Sequence, residues 1–194
     1  MELAVAQAEM RQSFVNGGPG AVVSGFVWAA AALTLQSATI EKAFVVLFFG
    51  GMFIFPIGAI IVRGLMRRPG PSPDNRLGTI ALESTIAMIG GFFPAFLLLR
   101  LEPTLAFPVA AIAVGTHYFA FSSVYGKKDF WVLGAVITAM GVLDAIAPGK
   151  LFVGLIWSVA LVEILFGLYL TVANLRRRLA SEAAGLGRQS TKKL

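Results

Sequence analysis

The chain alternates between long apolar stretches and short polar breaks. Apolar blocks run over about 20–38, 43–65, 78–99, 104–124, 130–147 and 151–174, and charged, proline-rich or glycine-rich residues separate them. Each block is roughly 20 residues long, enough for a helix rising about 1.5 Å per residue to cross a hydrocarbon core of roughly 30 Å. An open strand would leave backbone groups unsatisfied in lipid, so every block is expected to be helical. The pattern predicts an all-α polytopic membrane protein, a bundle of six transmembrane helices. The breaks read SATIEK, RGLMRRPGPSPDNR, RLEPT, YGKKD and APGK. All but the second are short hairpin connections, which predicts antiparallel packing between sequential neighbours.

Composition agrees with this reading. Hydrophobic residues make up 57% of the 194 and charged residues only 13%, whereas a soluble domain is typically about one quarter charged. Cysteine is absent, which excludes disulfides, thiolate metal sites and cysteine nucleophiles. The single histidine, His117, restricts any multi-histidine metal or haem site to a contact between subunits. No cofactor is predicted.

Charge sets the expected orientation. Of the 16 lysines and arginines, all but Lys42, Arg100 and Lys150 fall on the side of the spans that holds both termini. By the positive-inside tendency that side is cytoplasmic, and an even number of spans agrees with it. The expected location is the inner membrane. These cations are spread over breaks and tail rather than one folded face, so anionic lipid is the expected partner and nucleic acid is not.

Three regions follow. Residues 1–19 form a cytoplasmic N-terminal segment in which 2–15 suit a short interfacial helix. MELAVAQAEMRQ opens with an acid and lacks the pattern of a cleaved leader, so the first span is expected to remain as an anchor. NGGPG at 16–20 should break the helix from the first span, with Asn16 as a cap and Pro19 in the first turn. Residues 20–175 form the transmembrane domain, and the basic stretch 176–194 reads as a mobile tail.

Catalytic signatures are missing: the chain contains no G-x-S-x-G, no H-E-x-x-H and no P-loop, and GPGAVV at 18–23 fails G-x-G-x-x-G at its last position. Ionisable residues inside the spans therefore carry the candidate chemistry. They are Glu83, His117 and Glu163, with Asp144 nearer a helix end and a possible partner of Lys150. An acidic side chain at a helix centre is unfavourable by about 2.5–3.5 kcal/mol on insertion scales, so such residues usually face protein or water.

Helical spacing puts Glu83 with Thr79, Ala87, Gly90 and Pro94, and Glu163 with Ala160, Gly167, Thr171 and Asn174. Both stripes of small or polar residues predict carboxyls turned into the bundle. Glu83 lies about 6 residues into its span and His117 about 7 from the end of the next, roughly 9 and 10 Å deep. A contact between them, direct or through water, is open. Equally, these residues could form an interhelical hydrogen bond of about 0.6 kcal/mol that fixes packing and moves nothing.

Pro56 and Pro94 are expected to interrupt the second and third spans. Tyr125 and Trp131, flanking Lys127 and Lys128, are expected to sit in the aromatic belt.

GGPGAVVSGFVW at 17–28, GGMFIFP at 50–56, ALEST at 81–85 and YGKKDFWVLGA at 125–135 together resemble a family of small bacterial multispanning membrane proteins classed as a domain of unknown function. The resemblance covers roughly residues 5–147. It implies the multispanning topology and carries no activity.

Two main readings of function remain, with a third behind them. One is a small permease or channel-like protein, conceivably a homo-oligomer, with a ligand, ion or proton pathway at Glu83, His117 and Glu163. The other is a non-transporting scaffold or accessory subunit that binds a partner or anionic lipid through the basic loop 63–76 and the tail. A membrane enzyme using Glu83 and His117 as acid and base is a third. A polar cavity joining the three ionisable residues would favour transport or catalysis, and dry packing around them would favour the scaffold.

Overall fold

The computed structural model describes residues 1–148, 150–151 and 154–191, with side chains described as far as Ala180. Helix α1 covers Leu3–Ser13, α2 Gly18–Ser37, α3 Ile40–Met52, α4 Ile54–Ile60, α5 Leu77–Leu101, α6 Ala106–Tyr125, α7 Asp129–Ile146 and α8 Leu155–Thr191. No strand occurs among the described residues. Five helical stretches are long and apolar enough to cross a membrane, or six if the bent pair α3 and α4 is one span.

Local sequence explains the boundaries. Gly17 enters α2 with φ 76°, and Pro19 occupies its first turn, where a missing N–H is harmless. Asn16 does not cap α2: its Nδ2 donates to the Leu170 carbonyl at 3.2 Å, tying the turn to α8. Thr39 caps α3 by accepting the Lys42 N–H at 3.5 Å. Helix α6 ends on Gly126 in the left-handed region at φ 60°, a conformation that favours glycine.

The two prolines act differently. A 44° bend separates α3 from α4 at Phe53, and Pro56, lacking an N–H, leaves the Met52 carbonyl four residues back without its helical donor. At Pro94, in contrast, α5 runs unbroken from Leu77 to Leu101. The expected interruption of that span is not found, because a helix can flex around one missing hydrogen bond where the flanking turns hold.

Each apolar helix touches the next around a closed circuit of α2, α3, α5, α6, α7 and α8, and α6 also meets α8. Sequential hairpins supply α2–α3, α5–α6, α6–α7 and α7–α8, as the short breaks imply. The closure between α2 and α8 brings the two ends of the chain together. It depends on glycine: a Cβ at Gly18 would lie 2.6 Å from the Gly167 carbonyl oxygen, and one at Gly167 would lie 2.6 Å from that of Gly18. The backbones are in contact there, as small residues allow between membrane helices.

Two aromatic clusters fill the core. Phe44 packs on Phe92 and Phe107 at 5.9 and 5.8 Å between centroids. Towards the opposite end, Tyr118, Phe121, Tyr125 and Phe130 stack together. Tyr125 is therefore buried in the bundle rather than placed in an interfacial belt, whereas Trp131 is exposed.

Helix α1 lies against the arginine-rich end, touching α5 and α6. Gln7 Nε2 donates to the Ser123 carbonyl at 2.8 Å and Arg11 Nη1 to the Tyr125 carbonyl at 2.6 Å. These carbonyls lie at the end of α6, where the last turn lacks internal donors. The α5 side is held by Glu9, which accepts from Ser72 N–H at 2.8 Å and Asn75 Nδ2 at 2.6 Å.

Candidate functional site

The three ionisable residues singled out by the sequence do not share one site. Glu83 is exposed on the outer surface of α5, together with Thr79, Ala87, Gly90 and Pro94. Its expected inward orientation is corrected: the stripe of small residues faces outward, and Glu83 makes no hydrogen bond or ion pair among the described residues. Its neighbour Ser84, one residue or about 100° further round the helix, takes the inner position instead.

Ser84 Oγ lies 2.7 Å from His117 Nδ1 and 3.2 Å from the His117 carbonyl oxygen. A hydroxyl has one proton, so it donates either to the carbonyl, with Nδ1–H donating back, or to a bare Nδ1. Phe121 meets the imidazole edge to face, with centroids 4.7 Å apart. His117 also borders a groove of about 300 Å³ between α5 and α6, shared with Ser84, Met88, Gly91 and Thr116.

Glu163 is turned inward on α8 and is 0% exposed. Tyr118 donates its hydroxyl proton to Glu163 Oε1 at 2.7 Å, linking α6 to α8. Ser24 of α2 is buried beside them, and Oε2 has no partner at hydrogen-bond distance. The groove beside His117 and the cavity at the arginine-rich end include neither Glu83 nor Glu163 in their linings. The carboxyl is buried where α6 meets α8, with Ser24 of α2 beside it. Asp144 lies half-buried near the end of α7.

The larger cavity, of about 580 Å³, lies at the arginine-rich end. Helix α1 contributes Arg11 and Gln12, the segment after α4 contributes Arg67 and Arg68, and α8 contributes Asn174, Arg177 and Arg178. Arg68 is only 7% exposed. Its Nη2 donates to Asn174 Oδ1 at 3.1 Å, and Asn174 Nδ2 in turn donates to the Arg11 carbonyl at 3.1 Å. Below it, Arg63 Nη1 reaches the Arg68 carbonyl at 3.3 Å and its guanidinium lies 5.2 Å from the centroid of the Phe14 ring. Three separate segments are clamped around one space.

Sequence reasoning identified the cations as an orientation signal and missed their convergence. It also missed Ser84 and the Tyr118 partnership with Glu163. The signal for Ser84 was present in its alignment with Met88, Gly91 and Ala95, a second stripe as plausible as that of Glu83. Nothing local pointed to the cavity, because its walls come from three segments far apart in the chain, around Arg11, Arg68 and Asn174.

No group of three or more histidine, aspartate or glutamate side chains suited to a metal occurs among the described residues. No curated protein and no solved structure matches the chain. A family model does match, over residues 3–173. The chain therefore belongs to DUF7010, a family of unknown function.

Proposed function

We propose that the chain is a non-transporting membrane scaffold or accessory subunit that engages anionic lipid, or an acidic partner, through its arginine-rich face. In this reading the bent pair α3 and α4 is one of six spans, both termini are cytoplasmic and the membrane is the inner one. The reading is carried by the convergence of Arg11, Arg67, Arg68, Arg177 and Arg178 on one cavity, while Glu163 is fully buried between helices. A cationic face at headgroup level attracts an anionic leaflet by about 1 kcal/mol per side chain.

Native mass spectrometry of the purified protein tests it. Phosphatidylglycerol should remain bound in preference to phosphatidylcholine, and Arg67→Gln with Arg68→Gln should erase the preference. Equal retention of both lipids by the unaltered protein would sink the reading.

A permease remains the second reading, favoured by one observation: the unpartnered Oε2 of Glu163. Unpaired carboxyls inside membranes often mark proton or ion paths. It requires proton or ion flux in proteoliposomes that Glu163→Gln abolishes. The exposed stripe around Glu83 further suits a second copy of the chain, since contact would take a carboxyl out of lipid. Disulfide trapping of an Ala87→Cys variant, clean in a chain without cysteine, tests that homo-oligomer.

A further inference from the structure

Glu83 and the groove beside His117 belong to one surface. Ser84 contacts both Nδ1 and the carbonyl of His117, so the two residues lie at the same level of the α5–α6 pair. Glu83 is one residue away, about 1.5 Å off that level. Ala87, one turn further along the exposed stripe of Glu83, also lines the groove of about 300 Å³. Thr116, across from it on α6, is exposed too. The groove and the carboxyl therefore share the outer face of these two helices.

Within one chain these groups do not satisfy each other. Ser84 takes the position facing His117, and Glu83 projects about 100° further round α5. Among the described residues neither the Glu83 carboxyl nor Nε2 of His117 has a hydrogen-bond partner. An acid on the lipid-facing side of a span is costly, and a partner that takes it out of lipid is favoured. Nε2 suits a carboxyl in either arrangement of the Ser84 bond. If Ser84 donates to Nδ1, Nε2 carries the ring proton and donates to a carboxylate. If Nδ1–H donates to Ser84, the bare Nε2 accepts from a carboxylic acid.

A second copy of the chain supplies both partners at the right depth. Two copies inserted with the same orientation and related by a two-fold axis along the membrane normal keep every residue at its own level. Such a contact joins residue i to j and j to i, so only groups of nearly equal depth can meet, and Glu83 and His117 fulfil that condition. Close approach is open as well: nothing lies within 4 Å of a Cβ at Gly90, and small residues let membrane helices pack tightly. We propose that the outer face of α5 and α6 is a two-fold interface between copies of this chain, in which Glu83 of each copy hydrogen-bonds to Nε2 of the partner's His117. This rests on the reading that the stripe around Glu83 meets a second copy, and names the groups that meet there.

The test uses the full chain in liposomes of phosphatidylethanolamine and phosphatidylglycerol, dye-labelled through Ala38→Cys, an exposed site between α2 and α3. Counting photobleaching steps over a range of protein densities gives the dimer dissociation constant. Glu83→Ala removes an exposed carboxyl. His117→Asn keeps an amide where Nδ1 stood, preserving a partner for Ser84, and removes Nε2. Each variant should weaken dimerisation by about tenfold, from about threefold for each of the two symmetric bonds. The combined variant should lose no more than the weaker of the two single ones, because both remove the same interaction.

A second measurement reads the pairing directly. A short bifunctional thiol reagent, added to mixed Glu83→Cys and His117→Cys chains, should join one chain of each kind. Joining of Glu83→Cys chains chiefly to one another overturns the proposed bond. Dimers of unaltered affinity in both single variants, or losses that add in the combined one, also overturn it, and leave contact between copies standing. Monomers at every density, with no disulfide between Ala87→Cys chains, overturn the bond and the contact together. A phospholipid retained by such monomers and lost in His117→Asn would place a lipid in the groove instead.

Discussion

Tyr118 donates its hydroxyl proton to Glu163 Oε1 over 2.7 Å, joining α6 to α8 at a point where Glu163 has no solvent exposure. The bond is a tie between helices at a fully buried position. Tyr118→Phe removes the donor and leaves the carboxyl without its one hydrogen bond. Thermal unfolding in detergent should show a loss of roughly 0.6–1.7 kcal/mol, the range of interhelical bonds in membranes. Glu163→Gln keeps an acceptor for Tyr118 and should be milder. A larger loss from Glu163→Gln than from Tyr118→Phe would contradict the assignment.

The contact between α2 and α8 has no room for side chains. Gly167→Val should destabilise the fold by about 1–3 kcal/mol through overpacking, because even a Cβ would meet the Gly18 carbonyl oxygen at 2.6 Å. Gly51→Ala, where nothing lies within 4 Å, is the matched control and should leave the melting temperature within about one degree, a surface-type effect. Similar melting of the two variants would place α2 and α8 further apart.

Docking of α1 should depend on pH through Glu9. Hydrogen bonds from Asn75 and then from the Ser72 backbone hold its pKa below the 4.5 of an ordinary glutamate. A carboxyl with a depressed folded-state pKa contributes stability above its unfolded value and loses it as pH falls through the folded one. Amide protection factors in α1, corrected for the intrinsic exchange rate, should therefore be constant above pH 4.5 and fall in acid below it. Glu9→Ala should show the faster exchange at neutral pH and lose the acid transition. An unchanged acid transition in that variant would assign the effect to another group.

How much of this was legible in the chain depends on what lipid hides. Span positions could be read because apolar runs end at charges, and the observed helices begin within a few residues of those runs and end within a few, except α8, which continues past its run to Thr191. Inward faces could not be read in the same way, because the outer surface of a membrane helix is as apolar as its core. Glu83 and Ser84 sit on adjacent faces of α5, each with small residues above it, and only the packing of α6 chooses Ser84. Pro56 accompanies a bend and Pro94 does not, although both are prolines within apolar runs. For Tyr125, aromatic character beside lysines suggested an interfacial anchor, but its ring stacks on Phe130 at 5.3 Å and its carbonyl receives Arg11. The arginine cavity was hidden for a different reason. Arg11, Arg68 and Asn174 are neighbours only because α2 and α8 close the bundle.

Water access to Glu163 distinguishes a structural carboxyl from a transport pathway, and one cysteine can test it. Ser24 lies beside Glu163 and Tyr118 and is 6% exposed, and the chain has no native cysteine. In proteoliposomes, Ser24→Cys should stay unlabelled by a water-soluble maleimide until the protein is denatured, whereas Ser123→Cys, exposed at the arginine-rich end, should label at once. Labelling of Ser24→Cys at a rate near that of Ser123→Cys would mean that water reaches Glu163, and would contradict a dry, non-transporting bundle.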